Sequence, residues 1–288
     1  MVAGAFFGDV WSPDRNVIRP FAVPKGWYCF RSFDWGSSHP FSVGWWAIAD
    51  GTAAPDGVFY PRGALIRFAE WYGAKRDSAG RVVPNEGLRM SSREVAKGIV
   101  KREKAMREHM GITIHPGPAD PAIYASTDGP SIADNMASED VRWVRADNSR
   151  ITGWQQMRER IWAEGEAPLL YVFNTCTELI RTLPAAPRDE HIPDDIDTEF
   201  EDHALDETRY ATTTTTVTTT TTTTTTTTVS VDYTMHIDMT SVKQHKASSP
   251  KLVGWIYIPD TVIDYPIMQA EDNNYFLHLD WMEQESFA

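Results

Sequence analysis

Arg31-Ser32-Phe33-Asp34-Trp35-Gly36 is the stretch around which the chain is organised, and apolar residues lead into it from Trp27. Its apolar residues predict a strand over about Trp27 to Phe33, a carboxylate arrives at Asp34, and Gly36 ends the run. Phe41 to Ala49 reads as a second strand and Ala64 to Trp71 as a third, with Asp50-Gly51 and Asp56-Gly57 as turn signals between them. Three strands joined by short turns predict an antiparallel meander. An aspartate at the end of the first strand is well placed to hold a divalent cation, provided that carboxylates from other elements join it.

The chain has 288 residues, enough for one large domain or two small ones. Its formal net charge of -13 argues against whole-chain attraction to nucleic acid, while leaving room for a local basic face. The two cysteines, Cys29 and Cys176, form neither a disulfide framework nor a zinc spacing, and a reducing cytoplasm suits them. No apolar run approaches the ~20 residues of a membrane span, and the N-terminus lacks the pattern of a signal peptide.

Residues 1–26 form an aromatic-rich lead-in, with Phe6-Phe7-Gly8-Asp9-Val10-Trp11 expected to pack on the edge of the domain. Beyond the meander, Ser91 and Glu94 match a capping box that opens a helix to Met110, with Val95, Ile99 and Met106 at helical spacing. A buried strand is expected near Ile112 to Ala119, ending at Asp120-Pro121. A short helix follows at Ser131 to Ser138, then a strand at Val141 to Ala146, a helix at Ile151 to Ala163, and a strand at Leu169 to Phe173. A last helix falls within Asp195 to Ala211. This order is that of a ribonuclease-H-like α/β domain over residues 27–211, a mixed sheet flanked by helices.

Two-metal cleavage of a phosphodiester needs three or four carboxylates converging from separate elements, because hard cations take oxygen ligands. Asp34, Asp120 and either Asp202 or Asp206 meet that requirement; the last two are four apart and share a helix face. Taken singly, each has a plainer reading as a turn residue, a strand end before proline, or a helix start. Only their combination in this element order points to a site. Arg150, Arg158 and Arg160 are the first candidates for contacting DNA, with Lys97, Lys101 and Lys104 second.

The residues that carry this reading also carry a resemblance. Gly4 to Trp11, Ser32-Phe33-Asp34-Trp35-Gly36-Ser37-Ser38, Ala119-Asp120-Pro121-Ala122, Ala146-Asp147-Asn148-Ser149-Arg150-Ile151 and Glu201-Asp202-His203-Ala204-Leu205-Asp206-Glu207-Thr208-Arg209-Tyr210-Ala211 resemble the C-terminal nuclease domain of the large terminase subunit of tailed bacteriophages. The resemblance implies a ribonuclease-H-like fold, two Mg2+ or Mn2+ ions, and cleavage of concatemeric double-stranded viral DNA during packaging in the host cytoplasm. It also implies a small terminase subunit and a portal as partners. Carried over, Asp34, Asp120 and Asp202 are metal ligands, Asp206 competes for the third place, and His203 is taken as structural. The family's motor domain has a phosphate-binding loop; no G-x-x-x-x-G-K-[ST] occurs here, so ATP-driven translocation is not expected of this chain. A resolvase-type or integrase-type enzyme of the same fold is the alternative, and a non-catalytic chimeric protein a further one.

The composition then breaks. Residues 212–230 are threonine-rich and read as an extended low-complexity linker, since β-branching disfavours helix. In residues 231–288, Val253-Gly254-Trp255-Ile256-Tyr257-Ile258-Pro259, Thr261-Val262-Ile263-Asp264-Tyr265-Pro266-Ile267 and Asp272-Asn273-Asn274-Tyr275-Phe276-Leu277-His278 resemble the start of the catalytic domain of class B sortases. This is a truncated β fragment: the stretch has no cysteine, hence no sortase nucleophile. A lone hairpin is marginal in water, so weak order or weak docking is expected, and two unrelated families joined by a threonine run suggest a chimeric gene.

Overall fold

The computed structural model describes residues 5–126, 129–162, 164–224, 252–257 and 264–268. It divides into two compact units, Met1–Thr224 and Thr225–Ala288.

In the first unit the elements run α1 (Pro13–Asn16), β1 (Val17–Ile18), β2 (Tyr28–Asp34), β3 (Ser42–Ile48), β4 (Leu65–Tyr72), β5 (Ala74–Arg76), β6 (Val82–Gly87), α2 (Ser92–Met110), β7 (Ile114–His115), β8 (Pro118–Ala119), α3 (Ile132–Ala137), β9 (Val144–Arg145), α4 (Arg150–Ile161), β10 (Leu170–Phe173), α5 (Thr177–Thr182) and α6 (His203–Thr224). An eight-stranded mixed sheet has the order β1-β10-β4-β3-β2-β8-β9, with β7 also on β2. The meander β2-β3-β4 is antiparallel, as expected from its short turns. β10 adds parallel to β4, and β7 and β8 add parallel to β2.

Side chains alternate across a strand, and this sorts the helices into layers. Arg31 and Trp45 point to one face, where both bond Glu103 of α2. Ser32 and Trp46 point to the other, where both bond Glu207 of α6. The sheet is therefore sandwiched between α2 and α6, and this is the ribonuclease-H-like arrangement. The α2 start is the expected capping box: Ser91 accepts from the Glu94 amide, and the Glu94 carboxylate accepts from the Ser91 amide.

The α6 contact is an ion pair inside the protein. The guanidinium of Arg67 on β4 meets the Glu207 carboxylate, and both side chains are fully buried. Ser32, Ser42 and Trp46 donate to the same carboxylate, and Arg67 also donates to the Thr208 hydroxyl at 3.1 Å. Gly44 lies beneath: a Cβ there would collide with the Glu207 carboxylate. Gly153 plays the same part between helices, since a Cβ on α4 would meet Arg209 Cγ at 2.7 Å.

Several expectations change. The lead-in is core rather than edge: Phe6, Phe7, Val10 and Trp11 are buried, Phe7 meets Trp154 edge-on at 6.1 Å, and β1 then joins the sheet beside β10. The strand expected over Ile112 to Ala119 is two short pieces. Pro116 has no amide hydrogen to donate, and Gly117 lies so close to the Arg31 carbonyl that no side chain fits. The strand expected at Val141 to Ala146 is only Val144–Arg145. The β5-β6 hairpin, α1 and α5 have no counterpart among the elements expected from the sequence. The threonine run is not extended where it is described: α6 continues to Thr224. Extending a formed helix adds one hydrogen bond per residue, so the costly nucleus is already supplied by residues 203–211. Thr212 and Thr213 are buried and donate back to the Arg209 carbonyl at 2.9 Å, which satisfies their hydroxyls within the helix.

In the second unit, β11 (Leu252–Tyr257) and β12 (Asp264–Met268) pair antiparallel, with Trp255 opposite Pro266. The turn expected at Asp260-Thr261, the segment 271–278 and the expected weak order or docking of this fragment lie outside the described residues.

Removing one partner of the buried pair should be severe. Glu207→Gln leaves the buried Arg67 guanidinium with only the longer 3.5 Å pair to Glu70 and is expected to cost about 3–5 kcal/mol in urea unfolding. The double variant Arg67→Met, Glu207→Leu should cost clearly less than that single change. Equal losses for the two would show that the pair is not the clamp on α6.

Candidate active site

β2 and β8 run parallel and end side by side: Phe33 is in register with Ala119, and the Asp120 amide donates to the Phe33 carbonyl at 3.0 Å. Asp34 and Asp120, the next residue on each chain segment, thus leave the sheet together at its carboxyl edge, where open α/β sheets form their clefts. The Asp120 carboxylate caps the following turn by accepting from the Ala122 amide at 2.9 Å. α6 begins at the same place. The Asp202 carbonyl accepts from the Leu205 and Asp206 amides, both at 2.8 Å, so Asp202 sits at the helix start and Asp206 one turn along.

These acids feel one another. Burial pushes the Asp34 carboxyl up to about 7; Asp206 and Asp120 add to this, against the His203 bond. Burial raises Asp202 to about 6, with Asp206 adding. Burial and then Asp206 raise Asp120, against the Ala122 amide. Tyr210, raised first by burial, is raised further by the charges of Asp34, Asp206 and Asp120.

Two sets of basic partners hold the cluster. His203 Nδ1 lies 3.2 Å from Asp34 Oδ2. Burial opposes the His203 charge, but the bond to Asp34 and the fields of Asp34, Asp202 and Asp206 outweigh it, so its pKa is raised. Arg150, at the first turn of α4, reaches Asp195 through Nε at 3.1 Å, Asp206 through Nη1 at 3.2 Å and Asp202 through Nη2 at 3.5 Å. The other Asp206 oxygen takes Arg209 Nε at 2.9 Å and Nη2 at 2.7 Å.

Of the residues singled out in the sequence, the fold brings Asp34, Asp120, Asp202, Asp206 and Arg150 to this one edge. It engages the other two arginines elsewhere. Arg158 is bound to Asp9 and to the Phe6 carbonyl, and Arg160 donates to the Gly63 carbonyl at 3.3 Å. Lys97, Lys101 and Lys104 sit on α2, in the layer across the sheet. Sequence reading missed Asp195, for which no motif exists, and Arg209, which its i,i+3 spacing from Asp206 could have shown.

The donor set suits Mg2+ or Mn2+, which prefer carboxylate oxygens, and mutual repulsion among the acids is what a divalent cation relieves. Among the described residues, no three acidic, histidine or cysteine groups already converge at ligating distance. Asp34 is turned instead to His203, Asp202 to Arg150, Asp206 to Arg150 and Arg209, and Asp120 to the Ala122 amide.

Against solved structures, the chain is similar to the large terminase of a thermophilic bacteriophage, with a TM-score of 0.51, 16% identity, and 72% of this chain over 44% of that one. It is also similar to the P22 large terminase nuclease domain, with a TM-score of 0.50, 18% identity, and 73% of this chain over 92% of that one. At that identity the likeness defines the fold. No protein-family model matches the chain. A 37-residue stretch is 49% identical to Sortase B of Listeria monocytogenes serovar 1/2a (strain ATCC BAA-679 / EGD-e), covering 13% of this chain and 15% of that protein. Among the described residues no helix is long and apolar enough to cross a membrane.

Raised carboxyl pKa values make metal-free stability fall with pH. The unfolded chain releases these protons near ~3.9, whereas the native protein keeps them to about 6 at Asp202 and about 7 at Asp34. The native state therefore binds more protons across that window, and stability declines as pH rises through it. His203 acts in the same direction: its contribution is complete below ~6.5 and is lost as pH rises through its higher folded value. Between pH 5.5 and 7.5 urea unfolding should lose on the order of 2 kcal/mol from Asp34 and His203 acting as one pair, at 1.36 kcal/mol per unit. Asp34→Asn should flatten most of that slope; an unchanged slope would refute the assignment.

Proposed function

We propose that the first unit is a metal-dependent DNA endonuclease of the phage terminase type, acting on concatemeric double-stranded viral DNA. The observation that supports this best is the meeting of Asp34 and Asp120 at adjacent strand ends with Asp202 and Asp206 at the start of α6. Likeness in fold to the P22 large terminase nuclease domain supports it from a second direction.

In this reading Asp34, Asp120 and Asp202 hold Mg2+ or Mn2+, and Asp206 is the competing third ligand. The metal, when bound, supplies an activated water and stabilises the leaving oxygen. The chain's own residues do the rest. β2 and β8 fix the two backbones in register, so a cation has only to draw the Asp34 and Asp120 side chains from His203 and the Ala122 amide. His203 orients the Asp34 carboxylate through Nδ1. Arg150, about a quarter exposed, is the phosphate contact, and binding is directed to the DNA backbone and weakened by salt. Small terminase and portal proteins are the proposed partners. The sortase-like fragment adds no transpeptidase activity, since residues 231–288 hold no thiol.

Nicking of supercoiled plasmid tests the proposal. Activity should require Mg2+ or Mn2+ and vanish with a chelator. Asp34→Asn, Asp120→Asn and Asp202→Asn should each lower the rate on the order of 10²-fold or more, the scale of losing an electrostatic stabiliser of the transition state. A folded Asp34→Asn protein that cuts at the parent rate sinks it, and a strong preference for branched DNA would favour a resolvase.

A further inference from the structure

Resting on that reading, we infer that Arg150 is a resident cation that keeps the second divalent ion out, so that the chain by itself takes one ion and not two. Two-ion chemistry needs a carboxylate oxygen shared or closely apposed between ions ~3.5–4 Å apart. The α6 carboxylates are the ones that could complete a second site, and Arg150 occupies them. Its Nη1 and Nη2 reach Asp206 and Asp202, while Nε is fixed on both oxygens of Asp195 at 3.1 Å. Asp206 has no oxygen left over, since Arg209 takes the other. By contrast, among the described residues no guanidinium is bonded to Asp34 or Asp120. Asp120 accepts from the Ala122 amide, and the basic group bonded at this side is His203, on Asp34.

The arginine is built into place rather than lying there by chance. Asp195 is buried, its Oδ1 also accepts from Trp154 Nε1 at 2.7 Å, and the Trp154 ring lies 5.4 Å beneath the Arg150 guanidinium. A planar guanidinium spanning three carboxylates satisfies directional bonds that a spherical ion and its waters would otherwise have to replace. A first ion on Asp34 and Asp120 can draw its third ligand from the Asp202 oxygen not paired with Arg150, which leaves the arginine's bonds to Asp195 and Asp206 intact. A second ion must break them, and two positive groups then compete for the same oxygens. The side chain has a way out, because it is about a quarter exposed. A DNA phosphate offers it an alternative bidentate partner.

The test uses Mn2+ alone with the full chain, read by calorimetric stoichiometry and by electron paramagnetic resonance, where adjacent ions show exchange coupling. The parent chain should bind one Mn2+ with an isolated-ion spectrum. Arg150→Gln should bind two, with a coupled spectrum. Asp195→Asn loosens the arginine without touching the proposed ligands, and should raise the stoichiometry above one if Arg150→Gln fails to fold. Two coupled ions in the parent chain, or one ion in the parent and in both variants, overturn the inference and leave the nuclease reading standing. No Mn2+ in any of the proteins overturns both.

Discussion

The structure depends on a buried ion pair, Arg67 with Glu207, that fastens α6 to the middle of the sheet. Such a pair is a poor source of net stability, because both groups give up water. What it supplies is position. Glu207 accepts from Ser32, Ser42, Trp46 and Arg67, residues of three neighbouring strands, so α6 has one rotation and one height that satisfy it. A helix turns about 100° per residue. A slip of one position would swing Asp206 away from Arg150 and carry the helix start past Asp34. Asp202 and Asp206 are placed because Glu207 is.

The opposite face has its own clamp. Arg31 bonds Glu103 of α2 and the Arg142 carbonyl, and its guanidinium lies 4.7 Å over Trp143, which in turn stacks on Phe33 at 4.9 Å. Arg31 and Phe33 flank Ser32, whose side chain faces Glu207. Each layer therefore pins β2 close to its last residue, Asp34. Rigidity there has a cost, since gathering carboxylates at one edge is unfavourable without cations. Burial is the largest cause of the raised Asp34, Asp120 and Asp202 pKa values, and repulsion from Asp206 adds to it at each.

Much of this was legible from local signals. The meander, the capping box at Ser91 and the strand-end carboxylate at Asp34 all follow from patterns a few residues long. What was not legible depends on contacts far apart in sequence. Glu70, three residues on, is a local partner of Arg67, but the carboxylate that makes the guanidinium a clamp on α6 lies 140 positions away. Arg150 looks like any basic residue opening a helix, and only the fold shows it turned inward onto Asp195, Asp202 and Asp206. The threonine run misled for a different reason. Helix propensity describes a segment on its own, whereas Thr212 and Thr213 continue a helix already anchored by Glu207 and are buried against the same unit.

Net charge and site location together constrain the order of events in the proposed reaction. The chain carries -13 overall, and the proposed site gathers four of its aspartates at one edge, so bare DNA is repelled from the edge at which the proposed function would have it bind. The exposed lysines of α2 do not relieve this, because they lie across the sheet from the acids. Local cations must therefore reverse the potential before a phosphate can settle. A divalent ion at Asp34 and Asp120 does so on one side, and Arg150, once released from the α6 carboxylates, does so on the other. Metal first and DNA second is the sequence that this arrangement of charges permits.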